Sequence, residues 1–428
     1  MIDQLYAAFQ KSTGVSTDTR TIKSGNIWFA LKGPNFNANR FADQALEKGA
    51  GLVVIDDENY AKDDRYFVVE DTLRALQKLG NHHRNQFSIP FIGITGSNGK
   101  TTTKELLRDV LAKKYKVHAT GGNFNNHIGV PLTLLQIDES IEIAIIEMGA
   151  NKVGDIAELC GIADPTHGMI TNIGKAHLEG FGGVEGVIRG KSELYHHLIQ
   201  KDGVIFVNSN SEVLSHIAKR RMKSPFYYPA KGDYFHAELI QTQPVLRLKT
   251  EDNLEAATHL TGAYNFENMC AALCIGKYFE VTAKDALKAV ADYDPDNNRS
   301  QVIKKGSNTI ILDAYNANPS SMAAALAHFS EDKSDSKVVI LGDMFELGED
   351  AAEEHKAIGA LTLELGFDEV HLCGTLMEAG KLGNEKAHYW QTKEALVSHL
   401  KENPIRSSTV LIKGSRGMSL ESLLDNLT

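Results

Sequence analysis

Between residues 91 and 103 an apolar run, Phe91-Ile-Gly-Ile-Thr95, breaks into the turn Gly96-Ser-Asn-Gly99 and then into Lys100-Thr-Thr-Thr103. A helix-period apolar set, Leu106, Leu107, Val110 and Leu111, follows at once. A strand that feeds a helix through a glycine-rich turn commits this part of the chain to an α/β architecture and makes the turn a cradle for nucleotide phosphates. Glycines 96 and 99 let the backbone curl so that successive N–H groups converge on phosphate oxygens, and the helix presents its positive N-terminal end to the same anions. Lys100 is placed to neutralise β/γ-phosphate charge and Thr101 to offer a hydroxyl to Mg²⁺. Ile94 stands where the usual pattern has its first glycine.

The alternation continues on both sides of this element. Short strands are expected at 27–31, 51–55 and 66–70, with helical patterns between them, giving a small α/β unit over residues 1–87. Near-continuous apolar runs at 141–147, 167–171 and 203–208 suit strands buried on both faces of a parallel sheet, so 88–298 reads as a central phosphate-binding domain. The segment 237–248 suggests a hairpin appended to that sheet. After a turn-rich stretch at 292–298, runs at 309–313, 337–341, 369–373 and 408–413 predict a second doubly wound sheet over 299–428. The expected fold is therefore α/β in three domains, with a hinge near Asp292 to Ser300 and motion between the domains.

A chain of 428 residues with a formal charge of −10 and no long basic run does not resemble a nucleic-acid binder. The first residues lack the layout of a secretory signal, and no apolar run is long enough to span a bilayer, so a soluble cytoplasmic protein is expected. Four cysteines, two of them at helical spacing (Cys270, Cys274), read as reduced core thiols rather than a zinc site.

In open parallel sheets ligands collect at the carboxyl ends of the strands. Glu147 ends what reads as the second central strand and could bind a Mg²⁺ shared with the phosphates, although a strand-end residue before a glycine turn is the plainer role. His177 lies in a polar, glycine-laden loop, and Lys191 begins a further helical pattern. Singly, a solvated histidine and a surface lysine are the ordinary explanations. The loop 121–135 places Asn123, Asn125 and Asn126 among glycines before a helix, which suits recognition of a polar ligand. Asn265 and Asn268 stand at a helix start, where capping accounts for one of them. Arg299, at the expected hinge, could reach a transferring phosphoryl group on closure or form a linker salt bridge.

Taken together these motifs resemble the ATP-dependent Mur ligases of peptidoglycan synthesis. The resemblance rests on Thr95-Gly-Ser-Asn-Gly-Lys-Thr-Thr102, a phosphate loop that also lacks the leading glycine, and on Gly122-Asn-Phe-Asn-Asn-His-Ile-Gly-Val-Pro131, Glu147-Met-Gly-Ala-Asn151 and Asn172-Ile-Gly-Lys-Ala-His-Leu-Glu179. It continues through Asp313-Ala-Tyr-Asn-Ala-Asn-Pro-Ser-Ser-Met322, Leu341-Gly-Asp-Met-Phe-Glu-Leu-Gly348 and Lys413-Gly-Ser-Arg-Gly-Met418, the three most specific runs. Asp18-Thr-Arg20 and 29–33 are similar to the family's uridine-nucleotide region, where Asn37-Ala-Asn39 replaces a frequent Asp-Gly-His.

The resemblance implies an ATP-dependent peptide ligase, monomeric, that uses UDP-N-acetylmuramoyl-tripeptide and D-alanyl-D-alanine as substrates, with two Mg²⁺ ions. It implies that Thr95, Gly96, Ser97, Asn98, Gly99, Lys100, Thr101 and Thr102 hold the phosphates, Asn268 meets the adenine region, Arg299 the γ-phosphate and Asp313 the nucleotide. Thr101, Glu147 and His177 match metal positions, and Lys191 a lysine carried as a carbamate, which requires that its charged form be disfavoured. Lys100, His177, Lys191 and Arg299 are thus the expected catalytic set. Asp18, Thr19 and Arg20 are expected to contact the nucleotide sugar, and Asp343, Phe345, Lys413, Ser415 and Arg416 the dipeptide. The nearest alternative is a sibling ligase adding a single amino acid or glutamate. The alternative from another class is a phosphate-loop switch that hydrolyses slowly.

Overall fold

The apolar run at 91–95 forms the fully buried strand Phe91–Thr95, hydrogen-bonded to Ile143–Glu147 on one side and His167–Ile170 on the other. The computed structural model describes the chain except residues 222, 244, 296–298 and 428 and the side chain of residue 221. Six parallel strands make the central sheet, in the order Phe226–Tyr228, Val204–Asn208, His167–Ile170, Phe91–Thr95, Ile143–Glu147, Val117–Ala119. From Phe91–Thr95 the chain goes first to the edge strand Val117–Ala119, returns to Ile143–Glu147, and then crosses to His167–Ile170 on the other side, so the carboxyl end of Phe91–Thr95 sits at the switch point where an open sheet leaves a crevice.

Both faces of this sheet are covered, as continuous apolar strands require. Ile92, Ile94, Ile143 and Ile145 pack against Leu106, Leu107 and Val110 of helix Lys100–Leu111 and against helix Tyr264–Tyr278. Phe91, Ala144, Ile146 and Ile170 pack against Leu194 and Leu198 of helix Val184–Gln200, and the same apolar cluster continues through Leu178 and Phe181 to Met344 and Leu347 beside the C-terminal sheet.

The N-terminal unit has a four-stranded parallel sheet, Val15–Ser16, Ile27–Phe29, Leu52–Ile55 and Tyr66–Val68. Helix Thr72–Arg84 ties it to the centre: Arg84 donates to the carbonyls of Ala163 and Asp164 and lies over the Phe91 ring. The C-terminal sheet has six strands, in the order Gln301–Lys305, Asn308–Asp313, Thr409–Lys413, Lys337–Gly342, Glu369–Cys373, His388–Trp390, all parallel except the first.

Several expectations need correction. The 237–248 hairpin does not join the central sheet; Ala237–Gln241, Arg247–Thr250 and Glu255–Ala257 form a separate three-stranded antiparallel sheet. In the chain, though not in the sheet, Val117–Ala119 comes between Phe91–Thr95 and Ile143–Glu147, so Glu147 ends the third central strand in chain order. The expected hinge includes residues 296–298, which lie outside the described residues. The four cysteines are free and buried, in line with core thiols. No helix among the described residues is long and apolar enough to cross a membrane.

Candidate active site

At the switch point the turn 96–99 closes tightly for a steric reason. Gly96 has φ 145° and a Cβ there would come within 1.9 Å of Thr171 Oγ1; Gly99 has φ 77° and a Cβ would come within 2.5 Å of Asn268 Oδ1. The turn is braced by loop 171–174: the Ser97 and Asn98 amides donate to the Asn172 carbonyl and side-chain oxygen at 3.0 and 2.9 Å. Those two amides are therefore engaged within the protein, contrary to the expectation that the whole turn points its N–H groups at phosphate. The free donors are the first-turn amides of helix Lys100–Leu111, which by helix geometry have no partner behind them. Thr95 is likewise corrected: its buried hydroxyl donates to the Met148 carbonyl at 2.8 Å.

Lys100 folds back to donate to the Gly96 and Ser97 carbonyls at 2.7 and 3.1 Å. Burial, opposed by the Glu147 carboxylate and aided by the Arg299 charge, holds its amine down at about 8. Thr101 Oγ1 donates to Glu147 Oε1 at 3.2 Å, and Asn125 Nδ2 donates to the same oxygen at 2.8 Å. Glu147 Oε2 is buried without a hydrogen-bond partner and lies 3.6 Å from the Lys104 ammonium. A hydroxyl beside a buried carboxylate with one oxygen free of hydrogen bonds is a hard-oxygen donor set of the kind Mg²⁺ takes.

Lys191 does not begin a helix; it sits within Val184–Gln200 and is 1 % exposed. Its amine donates to the Ala150 carbonyl at 3.1 Å, lies 5.0 Å from the centre of the Phe181 ring, and makes no ion pair among the described residues. Burial, reinforced by the Lys100 charge, pushes it well below the ordinary lysine range. His177 has a left-handed backbone, φ 53°, and its Nδ1 contacts the Glu346 carboxylate.

A cleft of about 550 Å³ gathers Ser97, Asn98, Gly99, Lys100, Thr101, Thr102, Asn123, Asn125, Asn126, Glu147, His177 and Asn268 from the centre with Arg299, Asp313 and Lys413 from the C-terminal side. Asp313 and Lys413 end paired strands and form an ion pair. The Arg299 guanidinium lies 3.7 Å from the centre of the Tyr315 ring, with no ion pair among the described residues. Asn268 accepts from Thr103 Oγ1 at 3.1 Å and donates to Asn265 Oδ1 at 2.9 Å, and Asn265 donates to the Thr261 carbonyl; neither caps helix Tyr264–Tyr278. Asn126 accepts from the Ile128 and Gly129 amides.

An adjoining chamber of about 300 Å³ shares Asn123, His177 and Tyr315 with the cleft and adds Phe345, Glu346, Ser415 and Arg416. Asp343 is not part of its wall. That carboxylate is 3 % exposed and accepts from the Met377 amide at 2.9 Å, which makes it a brace of the loop rather than a group open to substrate. Asp18, Thr19 and Arg20 stand apart from both chambers in the N-terminal unit, with Asp18 and Arg20 paired to each other in solvent.

Sequence reasoning missed Lys104, Asn172, Tyr315, Asn318 and Glu346. Glu369, His371 and His399 also gather, near the last strands of the C-terminal sheet. There Trp390 Nε1 donates to His371 Nδ1 at 3.1 Å, so the proton of His371 sits on Nε2, 2.9 Å from Glu369, and no lone pair faces the group.

Comparison with known proteins agrees with this geometry. The profile described as Mur ligase middle domain matches residues 94–276, and that described as Mur ligase, glutamate ligase domain matches 298–416. The UDP-N-acetylmuramoyl-tripeptide--D-alanyl-D-alanine ligase of Bacillus subtilis is 35 % identical, covering 97 % of this chain and 93 % of its own. The crystal structure of MurF from Acinetobacter baumannii superposes with a TM-score of 0.88 at 30 % identity over 100 % of this chain and 98 % of its own. MurF ligase from Thermotoga maritima, solved in complex with ADP, gives a TM-score of 0.87 at 26 % identity over 98 % and 97 %. The chain belongs to the Mur ligase family.

Proposed function

We propose that the chain is an ATP-dependent ligase of peptidoglycan synthesis that joins D-alanyl-D-alanine to UDP-N-acetylmuramoyl-tripeptide. The observation that carries this reading is the single cleft in which Lys100, Thr101 and Glu147 of the central sheet face Arg299, Asp313 and Lys413 of the C-terminal one. A free carboxylate is a poor acyl donor. Its attack on the γ-phosphate of ATP releases ADP and leaves an acyl phosphate; the dipeptide amine then attacks the carbonyl, and phosphate departs with the C–O bond pair. Little covalent work falls to the protein, whose part is positioning and charge neutralisation.

In this reading Lys100 and the first-turn amides hold the nucleotide phosphates, Arg299 faces the transferring group, Asp313 and Asn268 border the nucleotide, and Asn123 and Asn125 border the peptide. Phe345, Ser415 and Arg416 wall the acceptor chamber, with Asp343 bracing them. Asp18, Thr19 and Arg20 serve the nucleotide sugar from the N-terminal unit. Thr101, Glu147, His177 and a carbamate on Lys191 would hold Mg²⁺, which when bound supplies positive charge to the phosphate oxygens. The buried amine of Lys191, with no ion pair among the described residues, supports the carbamate, because CO₂ adds to the neutral form.

We take the domain limits as 1–87, 88–298 and 299–428, a division supported by the separate N-terminal, central and C-terminal sheets of four, six and six strands. We infer a monomer, and dependence on ATP supports a cytoplasmic site of action. Phosphate release measured across acceptors tests the assignment. Release should require both UDP-N-acetylmuramoyl-tripeptide and D-alanyl-D-alanine; stimulation by single amino acids would move the chain to a sibling activity, and acceptor-independent release would make it a hydrolytic switch.

A further inference from the structure

Two non-glycine residues with left-handed backbones face each other where the central and C-terminal units meet: His177 at φ 53° and Glu346 at φ 63°. L-residues hold that conformation only where their surroundings impose it, and such residues concentrate at functional sites. Here the imposed geometry brings His177 Nδ1 against the Glu346 carboxylate. His177 borders both chambers, whereas Glu346 borders only the acceptor chamber, one residue from Phe345.

The loop that carries His177 is held along two edges. On the nucleotide side, Asn172 accepts from the Ser97 and Asn98 amides, and the Gly174 amide donates to Ser97 Oγ at 2.9 Å. On the C-terminal side, the Lys175 amide donates to Ser320 Oγ at 2.9 Å, Lys175 pairs with Glu354 at 2.5 Å, and the Glu179 amide reaches the Glu346 carbonyl at 3.4 Å. Glu346 thus touches this loop through backbone and side chain. An imidazole that donates from Nδ1 to a carboxylate keeps its lone pair on Nε2, and the partner fixes both tautomer and ring orientation.

We propose that Glu346 is a positioning residue for the ligase reaction: delivered by the C-terminal unit when it docks, its carboxylate orients His177 so that Nε2 is the nitrogen offered to the cleft. This rests on the assignment of His177 to the phosphate and metal region given above. The arrangement makes the nucleotide side complete only when the acceptor chamber is also in place, which protects an acyl phosphate from water.

The test uses the full-length enzyme and the variants Glu346→Ala, Glu346→Gln, His177→Ala and the double variant His177→Ala/Glu346→Ala. Glu346→Ala should lower kcat by about 10- to 100-fold, the usual effect of losing a group that orients a ligating histidine, with KM for ATP little changed. Glu346→Gln should recover most of that loss, because the carboxamide oxygen still accepts from Nδ1–H. The double variant should be no slower than His177→Ala alone. In ¹⁵N-histidine-labelled enzyme, the signals missing from His177→Ala should report an Nδ1–H tautomer in the parent and a mixture in Glu346→Ala. Unchanged kcat in Glu346→Ala, an equal loss in the His177→Ala background, or an unchanged tautomer would each overturn the proposal. A fully active His177→Ala would instead remove the role given to His177, while the tautomer measurement would still read whether Glu346 holds the ring.

Discussion

The side-chain amide of Asn318, at the start of helix Pro319–Ser330 in the C-terminal unit, donates to the side-chain oxygen of Asn98 in the phosphate turn at 2.7 Å. The contact joins a wall of the smaller chamber directly to the turn proposed to hold the nucleotide phosphates. Asn318 also caps its own helix by accepting from the Ser321 amide at 2.9 Å, so its replacement would confound two effects. Asn98 is the cleaner site, because its carbonyl, which accepts from Thr171 and Asn172, survives substitution. A neutral hydrogen bond contributes about 1 kcal/mol, so Asn98→Ala should shift the closed-to-open ratio roughly fivefold. Small-angle scattering of the ligand-free protein should show a larger mean dimension in the variant; superimposable profiles would show that this contact does not hold the units together.

The phosphate role proposed for Lys100 has consequences for both binding and turnover. Its amine, held at about 8 mainly by burial, gains anionic neighbours when phosphates arrive, and its proton is then held more tightly. Above that pH, nucleotide binding must therefore take up a proton, and affinity must fall as pH rises. Calorimetry near pH 8.5 in buffers of different ionisation enthalpy should report uptake of a substantial fraction of one proton in the parent and none in Lys100→Met. Lys100→Ala should lower turnover about a hundredfold or more, the worth of one charge-assisted phosphate contact in a closed site. Near-normal turnover would remove the phosphate assignment.

Much of this site is readable from sequence because an open parallel sheet delivers its functional residues at strand ends. Glu147 and Lys413 each close a fully buried strand, Asp313 closes an apolar strand that is alternately buried and half-buried, and the glycine turn announces the switch point. Lys104 and Lys191 were also legible in principle, since each lies on the buried stripe of its helix, beside Leu107 and Leu111 in one case and Val187 and Leu194 in the other. The pairing of His177 with Glu346 was not, because the residues come together only through docking of two units, which no local pattern encodes. Strands such as Val117–Ala119 and His388–Trp390 have three residues each, too few for a period to register. At Asn268 the tertiary partner Thr103, and at Asn265 the neighbouring Thr261 carbonyl and Asn268 side chain, took up the groups that capping would have used.

The Lys104–Glu147 pair gives a stability test separate from catalysis. Both side chains are almost fully buried, with 3.6 Å between the ammonium and Oε2. Removing one partner leaves an uncompensated charge inside the protein, which costs about 3–5 kcal/mol. Lys104→Met should therefore lower the urea midpoint substantially, and adding Glu147→Gln should restore much of it while leaving the enzyme dependent on higher Mg²⁺ for any residual turnover. Equal midpoints for the parent and Lys104→Met would mean that the pair carries no net charge burden.

Lys191 separates stability from activity most sharply. Its amine is buried, has only the Ala150 carbonyl as hydrogen-bond acceptor among the described residues, and is held well below its ordinary value by desolvation first and by the Lys100 charge second. In the unfolded chain the same amine is protonated up to the ordinary lysine range. The unfolded state therefore binds the extra proton, and this residue's penalty on folding shrinks as pH rises toward that range. Lys191→Met replaces the amine with an apolar group of similar length, so in CO₂-depleted buffer it should raise the thermal midpoint at neutral pH, by an amount that diminishes toward alkaline pH, while abolishing turnover. The parent enzyme should lose activity on CO₂ depletion and regain it with added bicarbonate, whereas Lys191→Met should respond to neither. Full parent activity without CO₂, together with a bare amine in a well-ordered crystal, would exclude the carbamate, because nothing else in the reaction would then require a neutral lysine at this depth.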